Sequence, residues 1–245
     1  MKYTHLEIAH MIDVSALKFD TTQKQVDDMI AACKEYEIGC AFTMSSYSEY
    51  LRDALKGTKT EFGTSLGFPS GQYCTACKVW EANYFVSLGT DEIDMVLNVG
   101  WLKSGMYKEV ADDIAAVRKA AENTSLKVII EASLLTDDEI KKGCDIVYDV
   151  GADYVKSGTG FSPPTTMHHV RLMEAAIKGK DIKFKVAGGV KDLATLLEMR
   201  EHGVHRYGIG LANTLSIIKE AMAFPNGVEL SDLTKKQIND SGEEY

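Results

Sequence analysis

The sequence predicts an α/β protein that folds as a single-domain (β/α)8 TIM barrel with a short polar C-terminal tail. Short apolar stretches alternate with longer amphipathic ones along the chain, which is typical of parallel strands joined by helical crossovers. The alternation repeats eight times within about 220 residues, the usual size of such a barrel. A doubly wound open sheet is the alternative, but no G-x-G-x-x-G follows the first predicted strand to favour its dinucleotide-binding form.

The predicted elements follow one another with short connections. The strands are expected at 9–13, 38–42, 61–66, 92–96, 126–131, 154–156, 182–186 and 206–209. Helices are expected at about 22–35, through 50–55, and at about 73–87 and 107–122. The stretch 136–139 has a capping-box pattern that opens a further helix. Residues 1–225 are assigned to the barrel, and the polar residues 226–245 are expected to form a flexible tail.

Composition excludes several classes of function. The 245 residues are 45% hydrophobic, which is ample for a core of one barrel-sized domain. The net charge is −9 and no basic tract is present, so a nucleic-acid partner is not expected. No run of eighteen apolar residues and no signal-peptide pattern occurs. We therefore expect a cytoplasmic protein that does not bind membranes.

The cysteine pattern favours reduced thiols. Five cysteines, at 33, 40, 74, 77 and 144, suit a reducing compartment better than a disulfide framework. Cys74 and Cys77 form a C-x-x-C motif at the start of a predicted helix. No second pair completes a zinc site, and a redox or metal role is disfavoured. Neither a metal nor a cofactor is expected.

Three titratable residues fall near the ends of predicted strands, where a barrel of this type places its active site. They are Asp94 on strand four, Lys156 on strand six and Lys185 on strand seven. Two neighbouring lysines repel each other as cations, which lowers at least one pKa and leaves a neutral amine that can attack a carbonyl. A nearby carboxylate can shuttle protons. This pattern predicts a metal-free Schiff-base site, with Lys156 as the nucleophile.

Two glycine-containing loops predict an anion site. Gly188 and Gly189 follow strand seven, and Gly208 and Gly210 lie in and after strand eight. Glycine lets backbone N–H groups approach an anion, and barrels often bind phosphate after strands seven and eight. Lys191 is expected to add a positive charge.

Several stretches in matching order resemble the deoxyribose-phosphate aldolase family, over about residues 10–220. These stretches are Ile12-Asp13 with Leu17-Lys18, Leu66-Gly67-Phe68-Pro69, Asp91-Glu92-Ile93-Asp94-Met95-Val96, Lys127-Val128-Ile129-Ile130-Glu131, Gly151-Ala152-Asp153-Tyr154-Val155-Lys156 and Lys185-Val186-Ala187-Gly188-Gly189-Val190. The resemblance implies a class I aldolase on a (β/α)8 barrel. Its family cleaves 2-deoxyribose 5-phosphate reversibly to acetaldehyde and glyceraldehyde 3-phosphate.

The resemblance also implies roles for individual residues. Lys156 would be the Schiff-base lysine, Lys185 the lysine that depresses its pKa, and Asp94 the proton-relay carboxylate. Substrate contacts would come from Asp13 and Ser15, from Thr159 and Gly160, and from the glycine loops. Many family members are homodimers, and some carry a mobile tail whose last tyrosine assists proton transfer, which would be Tyr245 here.

The chain departs from the family pattern at substrate-contact positions. Gly210 and Leu211 stand where the family usually has serines, and Val14 follows Asp13 where the family differs. Leu211 and Val14 are expected to make the pocket less polar if they face it. Lys183 stands where a glycine is common, and strand alternation puts it on the same face as Lys185. A different or non-phosphorylated substrate is therefore an alternative, and a non-catalytic sugar-phosphate-binding barrel or a Schiff-base lyase for a keto-acid is a more distant one.

Overall fold

The computed structural model describes residues 1–233, which form a closed barrel of eight parallel strands. Each strand pairs with its sequence neighbours, and β8 pairs with β1 to close the ring. The strands β1 to β8 are Ile12–Ala16, Cys40–Thr43, Glu61–Leu66, Glu92–Val96, Ser125–Ile129, Tyr154–Lys156, Lys183–Ala187 and Arg206–Gly210. The predicted barrel is confirmed, and the open sheet is excluded by the pairing of β8 with β1.

Helices surround the strands. In chain order, α1 to α10 are His5–His10, Gln23–Tyr36, Ser48–Leu55, Thr75–Ser87, Val99–Lys103, Tyr107–Ala120, Asp137–Asp149, Met167–Ile177, Leu193–Glu201 and Leu211–Met222. Every strand is followed by one full crossover helix, and α5 is an extra short helix after β4. The capping box predicted at Thr136 is present, because Thr136 N–H donates to the Glu139 carboxylate and Glu139 N–H donates to the Thr136 hydroxyl.

The first strand is present, but its predicted bounds of 9–13 are wrong. Residues 9 and 10 belong to α1, and β1 begins at Ile12. The cause is a capping box between Thr4 and Glu7, in which each side chain bonds the other residue's backbone N–H and starts a helix. Ile8 and Ala9 are completely buried, so their apolar character serves helix packing instead of a strand.

Two different layers fill the molecule. Residues that point outward from the strands, such as Val14, Ile93 and Phe184, pack with the helices in one apolar core. The inward positions carry polar and charged side chains to an unusual degree, among them Asp94, Lys127 and Lys185, all buried. Parallel strands covered by helices explain the apolar outer layer. The charged interior has no such structural explanation and points to function.

The first part of the predicted tail packs against the barrel. Val228 and Tyr3 exchange two backbone hydrogen bonds, each of 2.9 Å, and both Val228 and Leu233 are buried. Packed chain therefore continues beyond residue 225, to at least 233. The division into barrel and tail stays a prediction. The rest of the predicted tail, including Tyr245, lies outside the described residues.

Candidate active site

Three side chains from three strands meet inside the barrel. The Lys156 and Lys185 ammonium groups both contact one oxygen of Asp94, with Nζ–Oδ2 distances of 2.7 and 2.6 Å. The register pairs Lys156 directly with Lys185 on neighbouring strands. All three are at most 4% exposed. Burial of this kind is costly unless charges are paired, and a single carboxylate here serves two lysines.

The two lysines have opposite protonation behaviour. Burial and the nearby Lys185 cation lower the pKa of Lys156 to about 8, although Asp94 opposes them. Burial would also lower the pKa of Lys185, but Asp13, Asp94 and Glu92 outweigh it and raise that pKa above its ordinary value. Lys185 therefore stays charged near neutral pH, while part of the Lys156 population is a neutral amine. The sequence-based expectation was that the pKa of one lysine of the pair is lowered, and the lowered pKa of Lys156 agrees with it.

The carboxylates of the site are held ionised. Burial tends to raise the pKa of Asp94, but Lys156, Lys185 and Lys127 together lower it. The same balance, with Lys185 and Arg206 as the main cations, lowers the pKa of Asp13. Lys185 Nζ lies 2.5 Å from Asp13 Oδ2, and Arg206 Nε donates to Asp13 Oδ1 at 2.7 Å. Lys185 is thus fixed between two carboxylates.

The ionic contacts continue toward the amino-terminal end of the barrel. Arg206 lies 3.3 Å from Glu92, and Glu92 also pairs with Lys127. Sequence reasoning missed these residues because it considered strand ends only. Their signal was available, since Glu92 lies two positions before Asp94 and Arg206 two before Gly208, and alternate strand residues share a face.

Asp13, Cys40 and Glu92 bring three potential metal-ligand atoms within 4.8 Å of one another. The trio does not fit a metal ion, because both carboxylates already pair with buried cations. Burial and the two carboxylates also raise the pKa of the Cys40 thiol well above its usual range, so it is not a thiolate.

A pocket of about 330 Å³ opens above this cluster. It is lined by most of the predicted site residues, namely Asp13, Ser15, Lys156, Thr159, Gly160, Lys185, Gly188, Gly189, Gly208 and Gly210. Asp94 lies below the lining with the two lysines above it. The pocket therefore gives a ligand access to both amines, and Asp94 contacts both of them from below the pocket floor.

The loop after Lys156 is fixed by a buried carboxylate. Thr159 donates to Glu131 from its hydroxyl at 2.6 Å, and its backbone N–H lies 3.2 Å from the same group. Ser157 contacts the Thr165 hydroxyl at 2.8 Å. Glu131 itself has a left-handed backbone, with φ 55°, which ends the predicted strand two residues early. The Thr159 hydroxyl is therefore committed to this contact.

The far end of the pocket offers backbone donors. Gly188 and Gly189 have φ values of 80° and 98°, which favour glycine. A Cβ at Gly189 would lie 2.7 Å from the Thr165 carbonyl oxygen. Helix α10 begins directly after Gly210, so its first backbone N–H groups and its dipole lie at this end.

The cationic residue at the pocket differs from the predicted one. Lys191 is exposed and is not part of the pocket lining, whereas Lys18 and Asn213, which the residue-level reasoning did not select, do line it. The lysine at position 18 was visible in the sequence only as part of the resemblance.

Two expected contributions to the pocket are corrected. Val14 points outward into the helix-facing core, because Asp13 and Ser15 take the inward positions of β1. Leu211 packs against the core from the first turn of α10 and does not line the pocket.

Lys183 lies on the inner face at the amino-terminal end of the barrel, with its ammonium 5.4 Å from the Tyr154 ring centre, and it is exposed there.

An aromatic rim borders the pocket. Phe161 lines the opening, with its ring centre 4.7 Å from that of Phe19 and 5.4 Å from that of Phe68. Phe19 is 78% exposed, so the rim presents apolar surface to solvent at the pocket mouth.

Comparison with known proteins gives a consistent result. A family model described as DeoC/LacD family aldolase matches residues 8–219. The chain belongs to this aldolase family. The family resemblance noted in the sequence is thus confirmed, and the paired lysines lie within the matched span. Among residues 1–233, no helix is both long and apolar enough to cross a membrane.

Individual relatives cover nearly the whole barrel. The deoxyribose-phosphate aldolase of Streptococcus equi subsp. zooepidemicus is 40% identical over 211 residues, which is 86% of this chain and 96% of the relative. That of Coprothermobacter proteolyticus is 38% identical over 216 residues, or 88% and 97% of the two chains. A crystal structure from Coccidioides immitis, solved as a candidate deoxyribose-phosphate aldolase, superposes with a TM-score of 0.85 at 35% identity, covering 90% and 87%.

Proposed function

We propose that this aldolase reversibly cleaves 2-deoxy-D-ribose 5-phosphate to acetaldehyde and glyceraldehyde 3-phosphate through a Schiff base on Lys156. The observation that carries the proposal is the buried Lys156 amine, whose pKa of about 8 leaves part of it neutral, in contact with Asp94 and beside the charged Lys185. A neutral, desolvated amine is the form that attacks an aldehyde. The names of the 38–40% identical relatives support the substrate.

The reaction divides into steps that the three side chains can serve. The Lys156 amine attacks C1 of the open-chain sugar, and loss of water gives an iminium ion. Removal of the C3 hydroxyl proton lets the C2–C3 bond break, which releases glyceraldehyde 3-phosphate and leaves an enamine. Protonation of the enamine carbon and hydrolysis then release acetaldehyde and restore Lys156. Asp94, directly in contact with the amine, is assigned the proton transfers that form and break the carbinolamine.

Lys185 is assigned an electrostatic role. Its ammonium stays charged between Asp13 and Asp94, so it is a poor nucleophile and a steady positive charge beside Lys156. That charge opposes protonation of the Lys156 amine. The assignment of nucleophile to Lys156 and cation to Lys185 rests on this difference.

The phosphate is assigned to the end of the pocket with the glycine loops. Gly188, Gly189 and the start of α10 offer backbone N–H groups, and Lys18 supplies a positive charge. Helix N-termini and glycine-rich turns bind phosphate through such donors. The Asp13 carboxylate also lines the pocket and is assigned to the sugar hydroxyls.

A different or non-phosphorylated aldol substrate is the second candidate. The Phe19, Phe68 and Phe161 rim is apolar, and Gly210 provides no hydroxyl to a phosphate. These features favour an aldol substrate whose distal end is less polar than a phosphate. Relative kcat/KM values for deoxyribose 5-phosphate and free deoxyribose separate the two candidates.

We also propose that the protein is cytoplasmic and forms a homodimer. Sedimentation of the purified protein tests the dimer.

Turnover of deoxyribose 5-phosphate by wild type and Asp94→Asn tests the proposal. If Asp94 relays protons, the variant loses on the order of a hundredfold or more in kcat. Lys156→Met is expected to bind the sugar phosphate but form no acetaldehyde. A wild-type protein that binds the sugar phosphate and never releases acetaldehyde would be a binding protein, and the proposal would be wrong.

A further inference from the structure

Two cysteines outside the aldolase pocket face solvent as a close pair. Cys74 and Cys77 have a Sγ–Sγ distance of 3.2 Å, and both are exposed. Cys33, Cys40 and Cys144 are buried. Neither member of the pair lines the pocket, and the proposed aldolase chemistry uses neither. The pair therefore needs its own explanation.

The backbone that carries the pair is anchored on its buried side. Cys74 is the residue that precedes α4, and Cys77 lies in the first turn of this 13-residue helix. Asp113 of α6 accepts a hydrogen bond from the Thr75 hydroxyl at 2.7 Å and one from Lys78 Nζ at 2.6 Å. Lys78 and Asp113 are almost completely buried. These contacts fix the first turn, so both thiols stay near each other.

The two thiols differ in their surroundings. The Cys77 side chain, with backbone N–H groups of Cys77 and Ala76, lowers the pKa of Cys74. The Cys74 side chain and the Glu81 carboxylate raise the pKa of Cys77. Thiolates attack disulfides, and a thiol at a helix N-terminus in a C-x-x-C motif is activated in this way. Cys74 is therefore the more nucleophilic of the two.

The distance between the Cys74 and Cys77 sulfurs is compatible with formation of a disulfide bond. A disulfide has a sulfur–sulfur distance of about 2.05 Å, so closure requires the sulfurs to approach by about 1 Å. Rotation of two exposed side chains supplies that movement without displacing α4. The sequence alone disfavours a redox role, because the motif has no partner. The structure adds the thiol contact and the anchored turn.

We propose that Cys74 and Cys77 form a thiol–disulfide exchange site that reacts with low-molecular-weight disulfides, independently of the aldolase reaction. The Cys74 thiolate attacks one sulfur of the small disulfide, forms a mixed disulfide and releases one thiolate. Cys77, on losing its proton to solvent, then attacks Sγ of Cys74 and releases the second small thiol. The two cysteines are oxidised to one internal disulfide, and the small disulfide is reduced to two thiols.

The test uses the full-length protein in oxidised glutathione. The reduced protein is incubated at pH 8, quenched with acid, alkylated and mapped by mass spectrometry. We expect the peptide with Cys74 and Cys77 to lose two hydrogens and to resist alkylation until it is reduced. The buried Cys33, Cys40 and Cys144 serve as internal controls and are expected to remain reduced. Two separate glutathione adducts on the pair, or no reaction there, would overturn the proposal.

Two matched variants test the order of attack. Cys77→Ser is expected to accumulate a glutathione adduct on Cys74, because no resolving thiol remains. In Cys74→Ser, alkylation of Cys77 at pH 7 is expected to be slower than alkylation of Cys74 in Cys77→Ser, because the backbone N–H groups of Cys77 and Ala76 still lower the pKa of Cys74 and Glu81 still raises that of Cys77. Equal rates would contradict the assignment of Cys74 as the attacking thiol. Aldolase turnover in both variants is expected to stay within about twofold of wild type, which separates this site from the proposed function.

Discussion

At the scale of single residues, Lys156 and Lys185 differ because their carboxylate partners differ. Among residues 1–233, the Lys156 ammonium forms an ion pair with Asp94 alone, whereas that of Lys185 pairs with both Asp94 and Asp13. Burial opposes the charge on both lysines, and only Lys185 has enough negative charge around it to raise its pKa above the ordinary value. One lysine can thus act as a nucleophile at near-neutral pH while its neighbour stays charged.

Replacing Lys185 should move the pH dependence of imine formation. Lys185→Leu removes a cation that repels the Lys156 ammonium and leaves Asp94 to Lys156 alone. Both changes favour the charged amine, so the Lys156 pKa rises above about 8 and half-maximal imine formation moves to higher pH. The measurement is borohydride trapping of acetaldehyde across pH, with folding checked by circular dichroism.

Lys183→Leu is the matched control for this experiment. Lys183 lies two residues earlier on the same strand but is exposed at the other end of the barrel. Its replacement should leave the pH dependence unchanged. An unaltered profile in Lys185→Leu, or an equal shift in Lys183→Leu, would refute the electrostatic role of Lys185.

Lys18 and Lys191 provide a comparison of two exposed lysines. Lys18 lines the pocket and Lys191 does not. A hydrogen bond to a charged group is worth about 1.5–3 kcal/mol, so Lys18→Met should raise KM for the phosphorylated sugar by about tenfold to a hundredfold. KM for free deoxyribose should change little. Lys191→Met is expected to resemble wild type with both sugars, and a phosphate-specific loss there would return the role to Lys191.

At the scale of elements, we propose that the start of α10 contributes to the affinity for phosphate. Gly210 has φ −70°, which any residue can adopt, and a Cβ there meets nothing within 4 Å. A serine at this position can therefore add a hydroxyl without strain. Gly189 is different, because a Cβ there would clash with backbone at φ 98°.

Gly210→Ser should increase the preference for the phosphorylated substrate. One added hydrogen bond to a charged oxygen corresponds to about a tenfold to hundredfold increase in the ratio of kcat/KM for deoxyribose 5-phosphate over deoxyribose. Wild type is expected to show a smaller ratio than the variant. If the ratio is already high and the serine leaves it unchanged, the backbone donors and Lys18 are sufficient.

The element predictions show where sequence patterns succeed. Strands β3, β4 and β6 are predicted with their observed bounds, because turn residues such as Gly67, Gly89 and Gly151 delimit them. Helix α1 was missed because its apolar residues, Ile8 and Ala9, suit a strand as well as a helix. The capping box at Thr4 was the signal that distinguishes them.

At the scale of the whole molecule, closure of the barrel brings distant residues into one ionic cluster. Asp13, Asp94, Lys156 and Arg206 come from four strands and lie within a chain of contacts that Lys185 joins. The strand-end rule predicted Asp94, Lys156 and Lys185 from sequence. Arg206 was not predicted because it lies at the start of β8, away from the strand end, although its partner Asp13 is on the neighbouring strand β1. That pairing requires the register of β8 with β7 and β1.

The most direct test of the central claim is to trap the imine with acetaldehyde and borohydride and to map the modified residue by mass spectrometry. We predict a reduced adduct on Lys156, half-maximal near pH 8 and absent from Lys156→Met, which keeps its fold. An adduct on Lys185, or no adduct on a protein that cleaves deoxyribose 5-phosphate, would contradict the assignment of Lys156 as the Schiff-base lysine.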